Sequence, residues 1–142
     1  MAVPSPRAGS TDAYCATTRD IQVVVKPRFA PEQSAADRSR FVWIYHVRIE
    51  NLGAETVQLV ARHWVITDAL NRVEEVRGPG VVGDQPMLNP GESYEYESAC
   101  PLSTPSGAMQ GAYAMVTADG TTFEAAIPAF SLHLPEAARR LN

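Results

Sequence analysis

A chain of 142 residues with 45% hydrophobic and 20% charged side chains has the size and composition of one globular domain, long enough to bury a proper core. Its formal net charge of −4 argues against general binding to nucleic acid or to an anionic membrane, both of which reward a positive surface. No run approaches roughly 18 apolar residues, so no membrane-spanning helix is expected, and the start lacks the apolar segment of a secretory signal. In chain order, residues 1–13 are rich in Pro, Ser, Gly and Ala and read as a flexible N-terminal tail. A single domain over 14–135 follows, with 136–142 as a C-terminal tail.

Strand patterns recur through that domain. "DIQVVVKPRF" (20–29) alternates Ile21, Val23 and Val25, and "FVWIYHVRIE" (41–50) carries Phe41, Trp43, Tyr45, Val47 and Ile49 on one face. "TVQLVARHWVIT" (56–67), "RVEEVR" (72–77), "ESYEYESA" (92–99), "MQGAYAMVTA" (109–118) and "TTFEAAIPAF" (121–130) complete the set. Turn residues separate these runs at roughly 8–12-residue intervals, and none shows a sustained helical period. The expected fold is all-β: an immunoglobulin/fibronectin type III-like β-sandwich of about seven strands.

The second and third runs look like a hairpin turning near Gly53. Side chains alternate with period two, so the register decides which faces meet. Pairing odd with odd places Phe41, Trp43, Tyr45, Val47 and Ile49 with Val57, Leu59, Ala61, His63 and Val65. That register buries the most apolar surface, at about 25 cal/mol per Å². It leaves Val42, Ile44, Trp64 and Ile66 together on the other face, an apolar cluster that must be covered. A protein partner, or a second copy in a homodimer, would cover it.

"RGPGVVGDQP" (77–86) holds Gly78, Gly80 and Gly83 in the G-x-G-x-x-G spacing of dinucleotide-binding turns. That fingerprint needs a helix opening at its end, and Pro86, Pro90 and Gly91 forbid one here. What remains is an anion-binding nest of backbone N–H groups, helped by Arg77 and opposed by Glu74, Glu75 and Asp84. The plainer account is a strand-connecting loop whose glycines take positive φ.

Other chemistry is sparse. In the favoured register His63 faces inward near Tyr45 and His46 faces the other side near Arg62, so these two do not form a shared metal site. Ser98, Ser103, Ser106 and Cys100 cluster without a nucleophile motif and read as turn formers. Glu74/Glu75 and Glu95/Glu97 read as solvated strand positions. Cys15 and Cys100 stand far apart without C-x-x-C spacing and read as free thiols of a cytoplasmic protein. No catalytic residue, metal ligand set or cofactor is expected.

From residue 38 onward the chain resembles the bacterial ApaG family, through "VQLVARHWVITDALNRVEEVRGPGVVGDQP", "LNPGESYEYESACPL", "TPSGAMQGAYAMV" and "FEAAIPAFSL". With "IQVVVKPRFAPEQS" the resemblance spans roughly residues 18–135. It implies a fibronectin type III-like sandwich and brings associations with cobalt tolerance and magnesium efflux, often beside a diadenosine tetraphosphate hydrolase gene. Related domains in F-box proteins and the polymerase-delta-interacting protein imply a protein-binding role. The family's glycine motif falls on Gly78, Gly80 and Gly83, for which a pyrophosphate or nucleotide site has been discussed. The function expected is thus a non-enzymatic protein-interaction module. The alternatives are an anion binder through Arg77, Gly78, Gly80 and Gly83, or a direct divalent-metal binder.

Overall fold

A computed structural model describes residues 13–135, so the two expected tails lie outside the described residues except for Ala13. The strands are β1 (Tyr14–Thr18), β2 (Ile21–Phe29), β3 (Phe41–Asn51), β4 (Val57–Asp68), β5 (Val73–Pro79), β6 (Met87–Leu88), β7 (Ser93–Leu102), β8 (Ser106–Thr117) and β9 (Thr122–His133). All seven expected runs are strands. The additions are β6, two residues long, and β1, whose short run gives little pattern. A two-residue turn joins β1 to β2, with Arg19 and Asp20 both at positive φ (46° and 65°). Such turns usually advertise themselves through Asn or Gly, which are missing here.

The strands form two antiparallel sheets packed as a sandwich: β1-β2-β3-β7, and β5-β4-β8-β9 with β6 also beside β4. Val23, Val25, Trp43, Tyr45, Val47 and Ile49 come from the first sheet. They meet Leu59, Trp64, Tyr113, Met115, Ile127, Phe130 and Leu132 from the second. At the centre, the Tyr45 and Trp64 rings lie 5.2 Å apart at 61°, an edge-on packing favoured by the ring quadrupoles. Trp43 donates from Nε1 to the His133 carbonyl at 3.0 Å, which ties the sheets together at one end.

The expected 41–67 hairpin does not form. β3 pairs with β2 and β7, whereas β4 pairs with β5, β6 and β8, so residues 52–56 carry the chain from one sheet to the other. The two strands then face each other across one core, with Tyr45 of β3 against Trp64 of β4. The parity assumed for β4 also fails. A bulge between Leu59 and Ala61 shifts the register, so Val57 and Leu59 face inward before it and Trp64 after it.

Two consequences correct the expected apolar face. Val42 and Ile44 belong to the outer side of the first sheet, while Trp64 and Ile66 belong to the inner side of the second. Val42 is only 1% exposed because residues 30–40 fold over it. Ala30 N–H donates to the Val42 carbonyl and Val42 N–H donates to Ser34 Oγ. Trp64, 3% exposed, is a core residue, and Ile66 is partly buried against the core. Only Ile44 remains outward and half-buried. There is no shared face for a partner at these four positions.

Candidate functional site

The glycine loop is an excursion from the edge of the second sheet. β5 runs beside β4 from Thr67 to Ala61, and β6 resumes the pairing at Gln58 and Val57. Between them lies Val60, the bulged residue. Its carbonyl accepts from Gly80 N–H at 2.9 Å and from Gln85 Nε2 at 2.8 Å. The bulge and the loop therefore hold each other in place.

Each glycine of the motif has a local task. The Arg62 guanidinium lies over Gly78, about 3.0 Å from where a Cβ would stand. Gly80 has φ +58°, and a Cβ there would fall 2.1 Å from the Asp84 carbonyl oxygen. Gly83 has φ +86° with open space around it and completes a tight turn. In that turn Val81 and Asp84 exchange both backbone hydrogen bonds at 2.8 Å. Positive φ at both Val82 (42°) and Gly83 is what a type I′ turn requires. The N–H groups of Gly80, Val81 and Asp84 thus already donate to carbonyls of the protein. The spacing is explained by a looped-out edge strand.

Arg62 gives the loop its second support, and sequence reasoning missed it. After the bulge its parity is inward, at the rim of the core. Nη1 donates to the Pro79 and Gly80 carbonyls at 2.9 and 3.0 Å. Below it, the Tyr96 and Tyr113 hydroxyls bond to each other in the interior, and burial pushes both phenols well above their ordinary range. Tyr94, on β7, donates its hydroxyl to Asp84 at 2.8 Å and links the loop to the other sheet. No sequence signal marks Arg62 as inward, because the bulge alone reverses its face.

On the outer side, His63, Arg77, Ala112 and Glu124 are among the residues lining an open depression of about 400 Å³. His63 faces outward here, contrary to the inward position expected, again because of the bulge. Its Nε2 lies 2.7 Å from Glu75 Oε1. That hydrogen bond, with Arg77 adding its charge, holds the Glu75 carboxyl below its usual range. Arg77 itself is mostly exposed and reaches Glu75 at 3.3 Å.

The remaining candidates are dispersed. His46 sits on the outer face of the first sheet with its nitrogens 2.7 Å from Glu95 and 3.5 Å from Glu97, not beside Arg62. Ser103 accepts from Arg72 at 2.9 Å. Cys100 is buried, and burial together with nearby Glu74 pushes its thiol up to about 12, far from thiolate chemistry at neutral pH. Cys15 is an exposed free thiol. Among the described residues no three His, Cys, Asp or Glu side chains come together in a way that could hold a metal ion.

A different surface stands at the far end of β5. The β4–β5 turn is organised by Asp68, whose carboxylate accepts from Leu70 N–H at 2.9 Å and from Arg72 N–H and Nε at 3.0 and 2.7 Å. Those bonds hold the Asp68 carboxyl below its ordinary range against a desolvation effect that opposes them. Leu70 in this turn and Val73 at the start of β5 are 66% and 61% exposed. A groove of about 230 Å³ lies at this end, lined by Ile66, Val73 and Leu102 with Asp68, Arg72 and Glu74.

Comparison with known proteins places these features in a family. The profile described as the ApaG domain matches residues 31–117. Protein ApaG of Rhodospirillum centenum is 60% identical over 91% of this chain and 99% of its own length. Protein ApaG of Caulobacter vibrioides is 57% identical over 96% of this chain and 97% of its own. A solved structure of an ApaA protein from Bordetella pertussis superposes with a TM-score of 0.81 at 50% identity, covering 82% of this chain and 95% of that one.

Proposed function

The chain belongs to the ApaG family, and we propose that it acts as a non-catalytic module that binds another protein. The observation carrying this is the β4–β5 end, where Leu70 and Val73 stand exposed and Val73 lines a groove with Ile66 and Leu102. An apolar floor inside a charged rim is how the centres of protein interfaces are built. The Asp68 hydrogen bonds already order the turn, so little conformational freedom is lost on docking. Ile66, one of the four residues expected on a partner face, contributes to this surface.

The proposed compartment is the cytoplasm, and no described helix is long and apolar enough to cross a membrane. A partner-borne role would let the family's cobalt and magnesium associations act through another protein, without a metal held by this chain. The test is capture from a cell lysate on immobilised full-length chain, comparing wild type with the double variant Leu70→Asn, Val73→Thr. Both side chains are exposed, so the fold should survive. At least one protein should fall about tenfold in recovery. Identical recoveries from the two baits would sink the assignment.

A second reading rests on the depression beside the glycine loop, whose lining includes Arg77 and His63. It would take a pyrophosphate-like anion through Arg77, Gly78, Gly80 and Gly83, held chiefly by side chains because three loop N–H groups are engaged. NMR titration with pyrophosphate, ATP and diadenosine tetraphosphate decides it. Unshifted amides at Gly78, Gly80 and Gly83 with millimolar ligand would remove it. A direct divalent-metal role has no comparable cluster behind it.

A further inference from the structure

β5 is an edge strand: among the described residues it pairs with β4 alone. Along an antiparallel strand the main-chain groups of successive residues point alternately to its two sides. Two bonds fix that alternation here. Asp68 N–H donates to the Arg72 carbonyl and Gly80 N–H donates to the Val60 carbonyl, so Arg72 and Gly80 turn toward β4. The register between them is unbroken, and Glu74, Val76 and Gly78 therefore do the same. The N–H and C=O groups of Val73, Glu75 and Arg77 point away from the sheet, along with the Pro79 carbonyl. Pro79 agrees with this parity, because a sheet tolerates proline where the missing N–H would face away from the neighbouring strand.

The side chains of this edge are divided by the same period. Glu75 and Arg77 share the outer face, beside Val65 and His63 of β4. Glu74 and Val76 lie on the other face, where Val76 packs against the core and the Arg62 guanidinium lies over Gly78. An open edge accepts a further strand through its main chain, and the side chains select which one. Pairing β5 with itself about a two-fold axis must match outward residues with outward residues, which leaves few registers. Centring the axis on Glu74, Glu75 or Arg77 sets like charges opposite each other. Centring it on Val76 sets Glu75 against the partner's Arg77 and Arg77 against the partner's Glu75. The same register brings Glu74 opposite the partner's Gly78, on the face where the partner's Arg62 lies, and sets Val76 against the partner's Val76. Both faces thus select one alignment. In it Glu75 and Arg77 exchange main-chain bonds across the axis, and Val73 N–H meets the partner's Pro79 carbonyl.

We propose that β5 pairs with β5 of a second copy about a two-fold axis at Val76, so that one sheet runs continuously through a homodimer. This goes beyond the reading above, since it needs no foreign protein. Leu70 lies outside the paired residues, so failure of the dimer leaves that reading standing. The contact joins strand edges rather than broad faces, so it is a weak association, to be followed up to about 1 mM protein.

The test is sedimentation equilibrium of the full-length chain as wild type, Glu75→Arg, Arg77→Glu and the double exchange of both. Glu75 and Arg77 side chains are 54% and 70% exposed, so the fold should survive. Wild type should show a monomer–dimer equilibrium. Each single reversal sets like charges opposite on both sides of the axis and should weaken the dimer about tenfold. An equimolar mixture of the two single variants restores opposite charges, as the double exchange does, and association should return to within about threefold of wild type. Amide exchange locates the contact. Val73, Glu75 and Arg77 should slow about tenfold from dilute to concentrated protein, while Glu74, Val76 and Gly78 are protected in both. A wild type that stays monomeric overturns the proposal. So does a dimer that either reversal leaves intact, or a mixture that stays monomeric. Unchanged exchange at Val73, Glu75 and Arg77 in a dimer would place the contact elsewhere and overturn it too. That last measurement needs wild type alone, so it decides the matter even where a variant fails to fold.

Discussion

β3 and β4 are neighbours in the chain, similar in length and equally rich in apolar residues, yet they obey different rules. β3 keeps one parity over its inner face, so Trp43, Tyr45, Val47 and Ile49 are all buried as period two demands. β4 changes parity at Val60, after which Trp64 replaces His63 and Val65 as the inward residue. The difference teaches where this protein's distinctive surface comes from. A regular strand builds core on one side only, whereas a bulged strand supplies core, places Arg62 at the rim and turns His63 toward the outer depression. The looped-out edge that carries Gly78, Gly80 and Gly83 is fastened to the same bulge.

Deleting Val60 is the harshest way to break the contrast. It would restore strict alternation in β4, carry His63 and Val65 inward and expel Trp64. Loss of a cooperative thermal transition, followed by near-ultraviolet circular dichroism, is the expected outcome. A cooperative melt close to that of wild type would show that the bulge is dispensable. Next come the two tryptophans. Trp43→Ala and Trp64→Ala should each cost about 3–5 kcal/mol by urea unfolding, as large-to-small changes in a core do. A Trp64 cost below about 0.5 kcal/mol would return that residue to a surface.

Arg62→Ala is expected to cost about 1.5–3 kcal/mol, the usual scale for hydrogen bonds made by a charged group. Its signature should be local: amide exchange quickens at Gly80, Val81 and Asp84 while the β3 amides stay protected. Uniform quickening across both sheets would contradict a loop-supporting role. The smallest effect concerns His63. With His63→Ala the Glu75 carboxyl should titrate upward toward its ordinary value near 4.5, read by carbon-detected NMR, with little change in melting temperature at neutral pH. The sign follows from its lowered pKa in the folded protein. Whatever stability Glu75 lends is present above that ordinary value and is lost as the pH falls through the folded one. An unmoved Glu75 would mean that His63 does not reach it.

Much of the fold was legible because period-two alternation and turn chemistry are local signals. They identified seven of the strands and the sandwich, and they showed that Pro86 prevents a phosphate-binding helix after the glycine loop. The residues around the candidate sites were less legible, for reasons that can be named. The expected hairpin joined β3 and β4 because neighbouring strands often pair, but nothing local says which sheet a strand will enter. Val42 looked exposed because its cover, residues 30–40, reads only as loop. Arg62 and Trp64 appeared on the wrong faces because a bulge of one residue leaves no mark in the apolar pattern.

The sequence by itself determined the class of structure, the family resemblance and the need for a turn between Arg77 and Pro86, since these depend on side-chain period, motif and backbone restriction within a few residues. Only the tertiary structure decided that β3 and β4 belong to opposite sheets and that Trp64 is core. It also showed that Gly78, Gly80 and Gly83 shape an edge excursion pinned at Val60. Those outcomes turn on which distant carbonyls and rings satisfy one another when two sheets close on a single core, and no local stretch of the chain contains that information.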